Sequence, residues 1–100
     1  MSSMYPDTVI VDDPLVGTGL EAGLENPYQV VLHNDDRNEA FYVADCLMRV
    51  FGHDEGLAVK IMLEAHEKGF AIAEVEGETP ARKHRDELES LGLSVTIEAI

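Results

Sequence analysis

The sequence has few basic residues. Only 7 Lys and Arg stand against 20 Asp and Glu, so the formal net charge is −13. A surface that binds nucleic acid needs clustered Lys and Arg to displace counterions from phosphates. The composition therefore argues against DNA, RNA and anionic membranes as partners. An acidic protein attracts cationic groups instead, including protonated amines.

Cysteine and long apolar runs are also scarce. Cys46 is the only cysteine, so no disulfide within the chain is expected, and its apolar helical position predicts a buried thiol. No apolar stretch approaches the roughly 18 residues of a membrane span, and the first residues lack the Lys or Arg of a signal peptide. We therefore expect a cytoplasmic protein.

The 100 residues fit one domain preceded by an extension. Residues 1–26 contain two prolines, three glycines, five acidic residues and no base, which predicts a flexible acidic N-terminal extension. Within it, the β-prone "TVIV" of residues 8–11 is compatible with a short strand. Residues 27–100 are predicted to form the core domain.

The first half of the core predicts a strand followed by two helices. The run "YQVVLH" is typical of a buried strand, and Asn38 is the expected N-cap of the first helix, which Gly52 ends. Asp54 is the expected cap of the second helix, which ends at Gly69. The apolar faces of the two helices comprise Ala40, Phe41, Val43, Ala44, Leu47, Met48, Val50 and Phe51, then Leu57, Ala58, Ile61, Met62 and Ala65.

The second half predicts a strand, a helix and a last strand. "FAIAEV" is strand-like, and "SVTIEA" alternates as a strand does. Between them, Thr79 and Pro80 are the expected N-cap and first residue of a helix whose inner face carries Leu88 and Leu91. The order β-α-α-β-α-β favours an α+β fold in which a three-stranded sheet packs its apolar face on helices.

The polar stretch "HNDDRNEA" follows the first strand directly. Asn34, Asp35 and Asp36 are therefore expected to converge at the edge of the sheet, and His66 lies one helical turn after Met62. A polar turn and an ordinary core histidine would explain these features separately. Together, an amide oxygen, carboxylates and an imidazole beside apolar residues match a primary ammonium, which has three donors and no acceptor. A free amine carried by a hydrophobic group would satisfy both halves of such a site.

Other chemistries remain open on these residues alone. His33, Asp35, Asp36 and His66 are candidate ligands of a divalent ion, although no zinc-binding or EF-hand spacing is present. An acid–base site at Asn34, Asp36 and His66 in a small enzyme is another alternative, and the chain lacks the G-x-S-x-G motif of a nucleophile. A purely structural interaction domain is the third.

The sequence from Asn26 to Ile97 resembles the ClpS adaptors of the bacterial N-end rule. "YQVVLHNDD" is similar to the family's Y-x-V-x-L-x-N-D-D, and "FYVADCLMRVF" is similar to its first helix. "AVKIMLEAHEKGFAIAEV" is close to A-x-x-I-M-L-x-V-H-x-x-G-x-A-x-x-x-V. The resemblance implies a three-stranded antiparallel sheet with three helices, and an adaptor without enzymatic activity, metal or cofactor.

The resemblance also implies a function and its residues. Such adaptors bind proteins by a bulky hydrophobic N-terminal residue and deliver them to a ClpA- or ClpC-type AAA+ unfoldase, whose pore engages an N-terminal extension that residues 1–26 resemble. The positions that match the family's α-amino-group site are Asn34, Asp35, Asp36 and His66. The positions assigned to the side-chain pocket are Asn38, Ala40, Val43, Met62, Ala65 and Leu93.

This sequence departs from the family pattern in the pocket. Members usually carry Thr-Pro-Met where this chain has Asn38, Glu39 and Ala40, and the Met excludes β-branched side chains. Ala65 likewise replaces the usual Val. Smaller side chains leave more space if the backbone is unchanged. We therefore expect Phe, Tyr, Trp and Leu to bind and Ile and Val to be admitted.

The predicted docking surface departs as well. Members place a Glu and a Lys near the start of the third helix, where they contact the unfoldase. This chain keeps those charge types in a different register, and a solvated helix face explains them equally well. The residues assigned to docking are Glu78, Thr79, Arg82, Lys83 and His84.

Overall fold

The computed structural model describes residues 26–100, which form one sheet and three helices. The elements are β1 (Pro27–His33), α1 (Ala40–Phe51), α2 (Glu55–Lys68), β2 (Phe70–Gly77), α3 (Glu78–Ser90) and β3 (Val95–Ala99). The predicted order and the α+β class are confirmed. Residues 1–25 of the predicted extension, including the "TVIV" strand, fall outside the described residues. None of these three helices has the length and apolar character needed to cross a membrane.

The sheet has the strand order β2-β1-β3, and β1 pairs antiparallel with both neighbours. Leu32 of β1 faces Ala71 on one side and Val95 on the other, and the register shifts between Val30 and Val31. The sheet is antiparallel, as the resemblance implied. Because β1 is the central strand, the polar stretch that follows it leaves the sheet from its middle.

The core lies between one face of the sheet and the helices. Val30, Cys46, Leu47 and Leu88 are its largest fully buried side chains, so the predicted burial of Cys46 is confirmed. Burying a side chain of Val or Leu size stabilises the fold by about 1.5 to 3 kcal/mol. Leu91 is half-buried and packs against this cluster.

Three residues assigned to the inner helix faces, Ala40, Phe41 and Leu57, are exposed instead. Phe41 is 71% exposed and Leu57 is 41% exposed, whereas Ala58 and Ile61 are buried as predicted. Phe41 and Leu57 both lie in the first turn of their helix. Periodicity identifies the apolar face of a helix, but it does not tell how much of that face neighbouring elements cover.

The end of α1 and both ends of α2 follow the prediction. The Asp54 side chain accepts a hydrogen bond from the Leu57 N–H at 2.8 Å, as an N-cap does. Gly52 and Gly69 end the two helices with φ of 76° and 94°, a left-handed conformation that favours glycine. These local signals required no tertiary information.

The predicted start of α1 is wrong. Glu39, not Asn38, is the N-cap, and its side chain accepts a hydrogen bond from the Tyr42 N–H at 3.1 Å. The side-chain amide of Asn38 instead donates to Asp35 and to the Gly92 carbonyl. Because the Asn38 side chain is hydrogen-bonded to Asp35 and Gly92, the next residue, Glu39, serves as the N-cap.

The predicted start of α3 is wrong as well. The helix begins at Glu78, with Gly77 at the cap position and no side-chain cap, rather than after Thr79. Strand β2 stays paired as far as Gly77, which faces Pro27, so the chain passes from strand to helix without a loop. Pro80 still lies in the first helical turn, where its missing N–H leaves no hydrogen bond unmade.

Candidate functional site

A cavity of about 60 Å³ opens where β1 ends. Its walls come from the end of β1, the segment that follows, the start of α1 and the last turns of α2. The lining residues are Leu32, His33, Asn34, Asp35, Asn38, Ala40, Val43, Met62, Ala65 and His66. Most residues predicted from the sequence therefore surround one cavity.

The α1 and α2 side of the cavity is apolar. Met62 and Ala65 of α2 are 9% and 3% exposed, and Val43 of α1 is half-buried against the core. Met62, Ala65 and His66 share one helix face because they are three and four residues apart. The small side chains of Ala40 and Ala65 leave space at this wall.

The rim of the cavity carries polar side chains that have no partner in the part of the chain that the structure describes. Asn34 and His66 are exposed, and within residues 26–100 neither side chain has a hydrogen-bond partner. The Asn34 N–H donates to the Gly69 carbonyl at 3.0 Å, which joins the end of β1 to the end of α2. This backbone contact brings Asn34 and His66 to the same rim.

Asp35 shapes the loop between β1 and α1. One carboxylate oxygen accepts hydrogen bonds from the N–H groups of Arg37 and Asn38 at 3.0 and 3.1 Å. Burial by itself would raise the pKa of Asp35, but hydrogen bonds from Arg37, Ser94 and Asn38 outweigh it and lower the pKa below its ordinary value. Asp35 is therefore ionised at neutral pH and supplies a negative charge to the rim.

Asn38 fastens this loop to the turn before β3. Its side-chain amide donates to Asp35 at 3.0 Å and to the Gly92 carbonyl at 2.9 Å. Gly92 has a φ of 94°, which the sequence "LGL" permits but does not reveal. Gly92 and the lining residue Leu32 are parts of the site that sequence reasoning missed, because neither carries a chemical signal.

Two predicted site residues lie outside the lining. Asp36 is exposed beside Asp35, and no donor contacts its carboxylate within the described chain. Leu93 is 4% exposed and belongs to the hydrophobic core. The structure therefore places Asp36 at the surface next to the rim and Leu93 behind it.

The predicted docking residues lie on the first turns of α3. Glu78 and Arg82 form an ion pair at 2.7 Å along the helix. His84 is turned inward and contacts a carboxylate of β2 at 2.7 Å. Thr79 and Lys83 are exposed. Of the five, Thr79, Arg82 and Lys83 are exposed and are neighbours on one side of the helix, whereas His84 points inward.

The geometry gives little support to the alternative chemistries. Among residues 26–100, no three His, Cys, Asp or Glu side chains are grouped so that they could hold a metal ion. Cys46 is fully buried. The arrangement is instead suited to binding a cation at the rim and an apolar group in the cavity.

Comparisons with known proteins agree with this geometry. The model of the family "ATP-dependent Clp protease adaptor protein ClpS" matches residues 24–96. A ClpS adapter of Synechococcus elongatus is 42% identical over 72 residues, which cover 71% of this chain and 76% of that protein. The chloroplastic CLPS1 adapter of Arabidopsis thaliana is 41% identical over 73 residues, which cover 72% of this chain. The chain spans about half the length of that plant relative, 46%.

A solved structure is similar to the fold as well. It is that of Agrobacterium tumefaciens ClpS2 bound to L-phenylalaninamide, with a TM-score of 0.73 and 30% sequence identity. The match covers 75% of this chain and 98% of that one. The matched family consists of adaptors rather than enzymes. Since its model covers well over half of the sequence, this chain belongs to the ClpS family of adaptors of the ATP-dependent Clp protease.

Proposed function

We propose that this chain is an N-end rule adaptor that binds a substrate by its free α-amino group and its bulky hydrophobic N-terminal side chain. The observation that carries the proposal is one cavity with an apolar wall and, at its rim, two polar side chains that have no partner within residues 26–100. A buried ammonium without acceptors would cost several kcal/mol, so such a rim is what an amine requires. The related ClpS2 structure holds L-phenylalaninamide, a free amine with a benzyl group.

In this proposal four residues bind the amino group in different ways. Asn34 and His66 accept hydrogen bonds from the ammonium, because their side chains have no partner within the described residues. Asp35 contributes charge and holds the loop, since the loop already engages its oxygens. Asp36 adds negative charge next to the rim. Each charge-assisted hydrogen bond contributes about 1.5 to 3 kcal/mol.

The hydrophobic side chain of the substrate enters the cavity. Val43, Met62 and Ala65 form its apolar wall, and Ala40 and Asn38 border its entrance. We expect Phe, Tyr, Trp and Leu to bind, and Ile and Val to be admitted past the short side chain of Ala40. Leu93, the remaining predicted pocket residue, acts indirectly by packing in the core next to the Gly92 turn that holds Asn38.

Delivery to a ClpA- or ClpC-type AAA+ unfoldase completes the proposed function. Thr79, Arg82 and Lys83 are exposed near the start of α3, and Thr79 and Lys83 have no side-chain partner within residues 26–100. Glu78, Arg82 and His84 have partners within the protein, so they contribute less to docking. Residues 1–26 would engage the unfoldase pore. A cytoplasmic location for these events stays a prediction.

Fluorescence polarisation with short labelled peptides tests the binding step. The peptides differ only in their first residue, and each is prepared with a free and with an acetylated N-terminus. We expect Phe-, Tyr-, Trp- and Leu-initiated peptides to bind in the free form only, because acetylation removes the charge and donors of the amine. Equal binding of free and acetylated peptides, or of Phe- and Ser-initiated peptides, would overturn the proposal.

A further inference from the structure

Strand β2 carries large apolar side chains on the face of the sheet opposite the core, here called the outer face. Ala71 and Ala73 point into the core, so Phe70 and Ile72 point outward, because side chains alternate along a strand. Phe70 is 52% exposed and Ile72 is 40% exposed. Isolated apolar side chains are common at protein surfaces, whereas adjoining ones often mark a contact site.

Phe70 lies next to the rim of the cavity. It follows Gly69, whose carbonyl accepts the Asn34 N–H at 3.0 Å, and it pairs across the sheet with His33, which lines the cavity. The His33 imidazole is turned toward β3, where it contacts the Thr96 hydroxyl at 2.7 Å. The imidazole therefore leaves the Phe70 ring open to solvent, and the apolar part of the outer face begins directly at the rim.

We propose that Phe70 and Ile72 receive the side chain of the second substrate residue and favour an apolar one there. The inference rests on the proposed amine-binding function. The first side chain enters the cavity on the core side of the sheet, where Met62 and Ala65 form the wall. Successive side chains of an extended chain point in opposite directions, so the second one points toward the outer face. A rise of about 3.3 Å per residue keeps it within reach of Phe70.

Two other exposed apolar side chains provide matched comparisons. Phe41 follows the lining residue Ala40, but it lies in the first turn of α1 and not on the sheet. Val75 shares the outer face with Phe70 but pairs with Gln29, four residues before His33 along β1. At about 3.3 Å per residue this places Val75 roughly 13 Å from the rim, beyond the reach of the second substrate residue.

Fluorescence polarisation with two peptides of the same composition tests the inference. Both begin with Phe and a free amine, and one continues with Leu-Ser and the other with Ser-Leu. We expect the Phe-Leu-Ser peptide to bind the full chain about fivefold more tightly, which corresponds to the burial of roughly 40 Å² of apolar surface. Phe70→Thr should abolish this difference, whereas Phe41→Thr and Val75→Thr should keep it. Phe70→Thr should bind the Phe-Ser-Leu peptide as the full chain does, which shows that its amine site is intact.

The outcomes separate this inference from the function on which it rests. Equal amine-dependent binding of the two peptides overturns the outer-face contact and leaves the adaptor function standing. A preference that persists in Phe70→Thr, or that is lost in Phe41→Thr, also overturns it. If Phe70→Thr slows degradation of a reporter while both peptide affinities stay unchanged, the outer face contacts the unfoldase instead and the inference fails. If no free-amine Phe peptide binds while circular dichroism shows a folded protein, both proposals fail.

Discussion

The side-chain amide of Asn38 contacts both carboxylate oxygens of Asp35, at 3.0 and 3.2 Å. The same amide reaches the Gly92 carbonyl at 2.9 Å, so a single residue connects the end of β1 to the turn before β3. The loop that borders the cavity is therefore held by an ionised carboxylate rather than by apolar packing. Its stability should depend on that charge.

Replacing Asp35 by Asn should destabilise the fold. Hydrogen bonds to a charged group contribute more than neutral ones, and the side chain of Asp35 is only 14% exposed, so we expect a loss of about 1 to 2 kcal/mol in the free energy of unfolding at neutral pH. Urea unfolding of both proteins measures this difference. Asp36→Asn, which changes an exposed neighbouring carboxylate, is the matched control and should leave stability unchanged.

The effect of Asp35 should also depend on pH. Its pKa is lower in the folded protein than its ordinary value of 3.8, so the folded state binds fewer protons than the unfolded chain in the range just below that value. The stabilisation is therefore complete above pH 3.8 and is lost as the pH falls through this range. Urea unfolding at several pH values should show the gap between the natural protein and Asp35→Asn closing in acid. A constant gap would contradict the assigned contacts.

Removing an acceptor at the rim should weaken binding of free amines. Asn34→Ala or His66→Ala should each reduce the affinity for a Phe-initiated peptide by about tenfold to 100-fold, because each loses a charge-assisted hydrogen bond. Acetylated peptides should bind neither the natural protein nor the variants. Fluorescence polarisation gives both values. Glu67→Ala, at an exposed position next to His66 that does not line the cavity, should bind as the natural protein does.

Enlarging the side chain at position 40 should restrict the pocket. Ala40→Met should keep binding of Leu- and Phe-initiated peptides but exclude those that begin with Ile or Val, since a longer side chain would narrow the entrance. Isothermal titration measures the ratios, with Ala99→Met as an exposed control outside the cavity. The expectation that Ile and Val are admitted past Ala40 is wrong if the natural protein binds Ile- and Val-initiated peptides about 100-fold less tightly than Leu-initiated ones, a difference of about 2.7 kcal/mol in binding free energy.

Reversing an exposed charge on α3 should separate delivery from binding. Lys83→Glu should slow degradation of a Phe-initiated reporter by a Clp protease without changing peptide affinity, because Lys83 is exposed and distant in sequence from the cavity residues. Lys60→Glu makes the same charge change on α2 and serves as the control. If Lys83→Glu and Lys60→Glu support equal degradation rates, α3 is not part of the docking surface.

Local sequence signals predicted which helices and strands form more accurately than they predicted the residue at which each helix starts. The predicted helix ends at Gly52 and Gly69 and the predicted N-cap at Asp54 were correct, because each depends on residues within one helical turn. The caps of α1 and α3 were wrong because Asn38 has partners distant in sequence and because pairing with β1 extends β2 to Gly77. The exposure of Phe41 was missed for a related reason, since burial depends on which elements lie opposite.

The sequence by itself determined the order of elements, the acidic character and most of the residues that line the cavity, because periodicity and residue chemistry are local properties. The tertiary structure decided which of these residues have hydrogen-bond partners and which are buried. Asp35 and Asn38 hold the loop, the side chains of Asn34 and His66 have no partner among residues 26–100, and Leu93 lies in the core. These assignments depend on contacts between distant segments, and sequence spacing does not encode them.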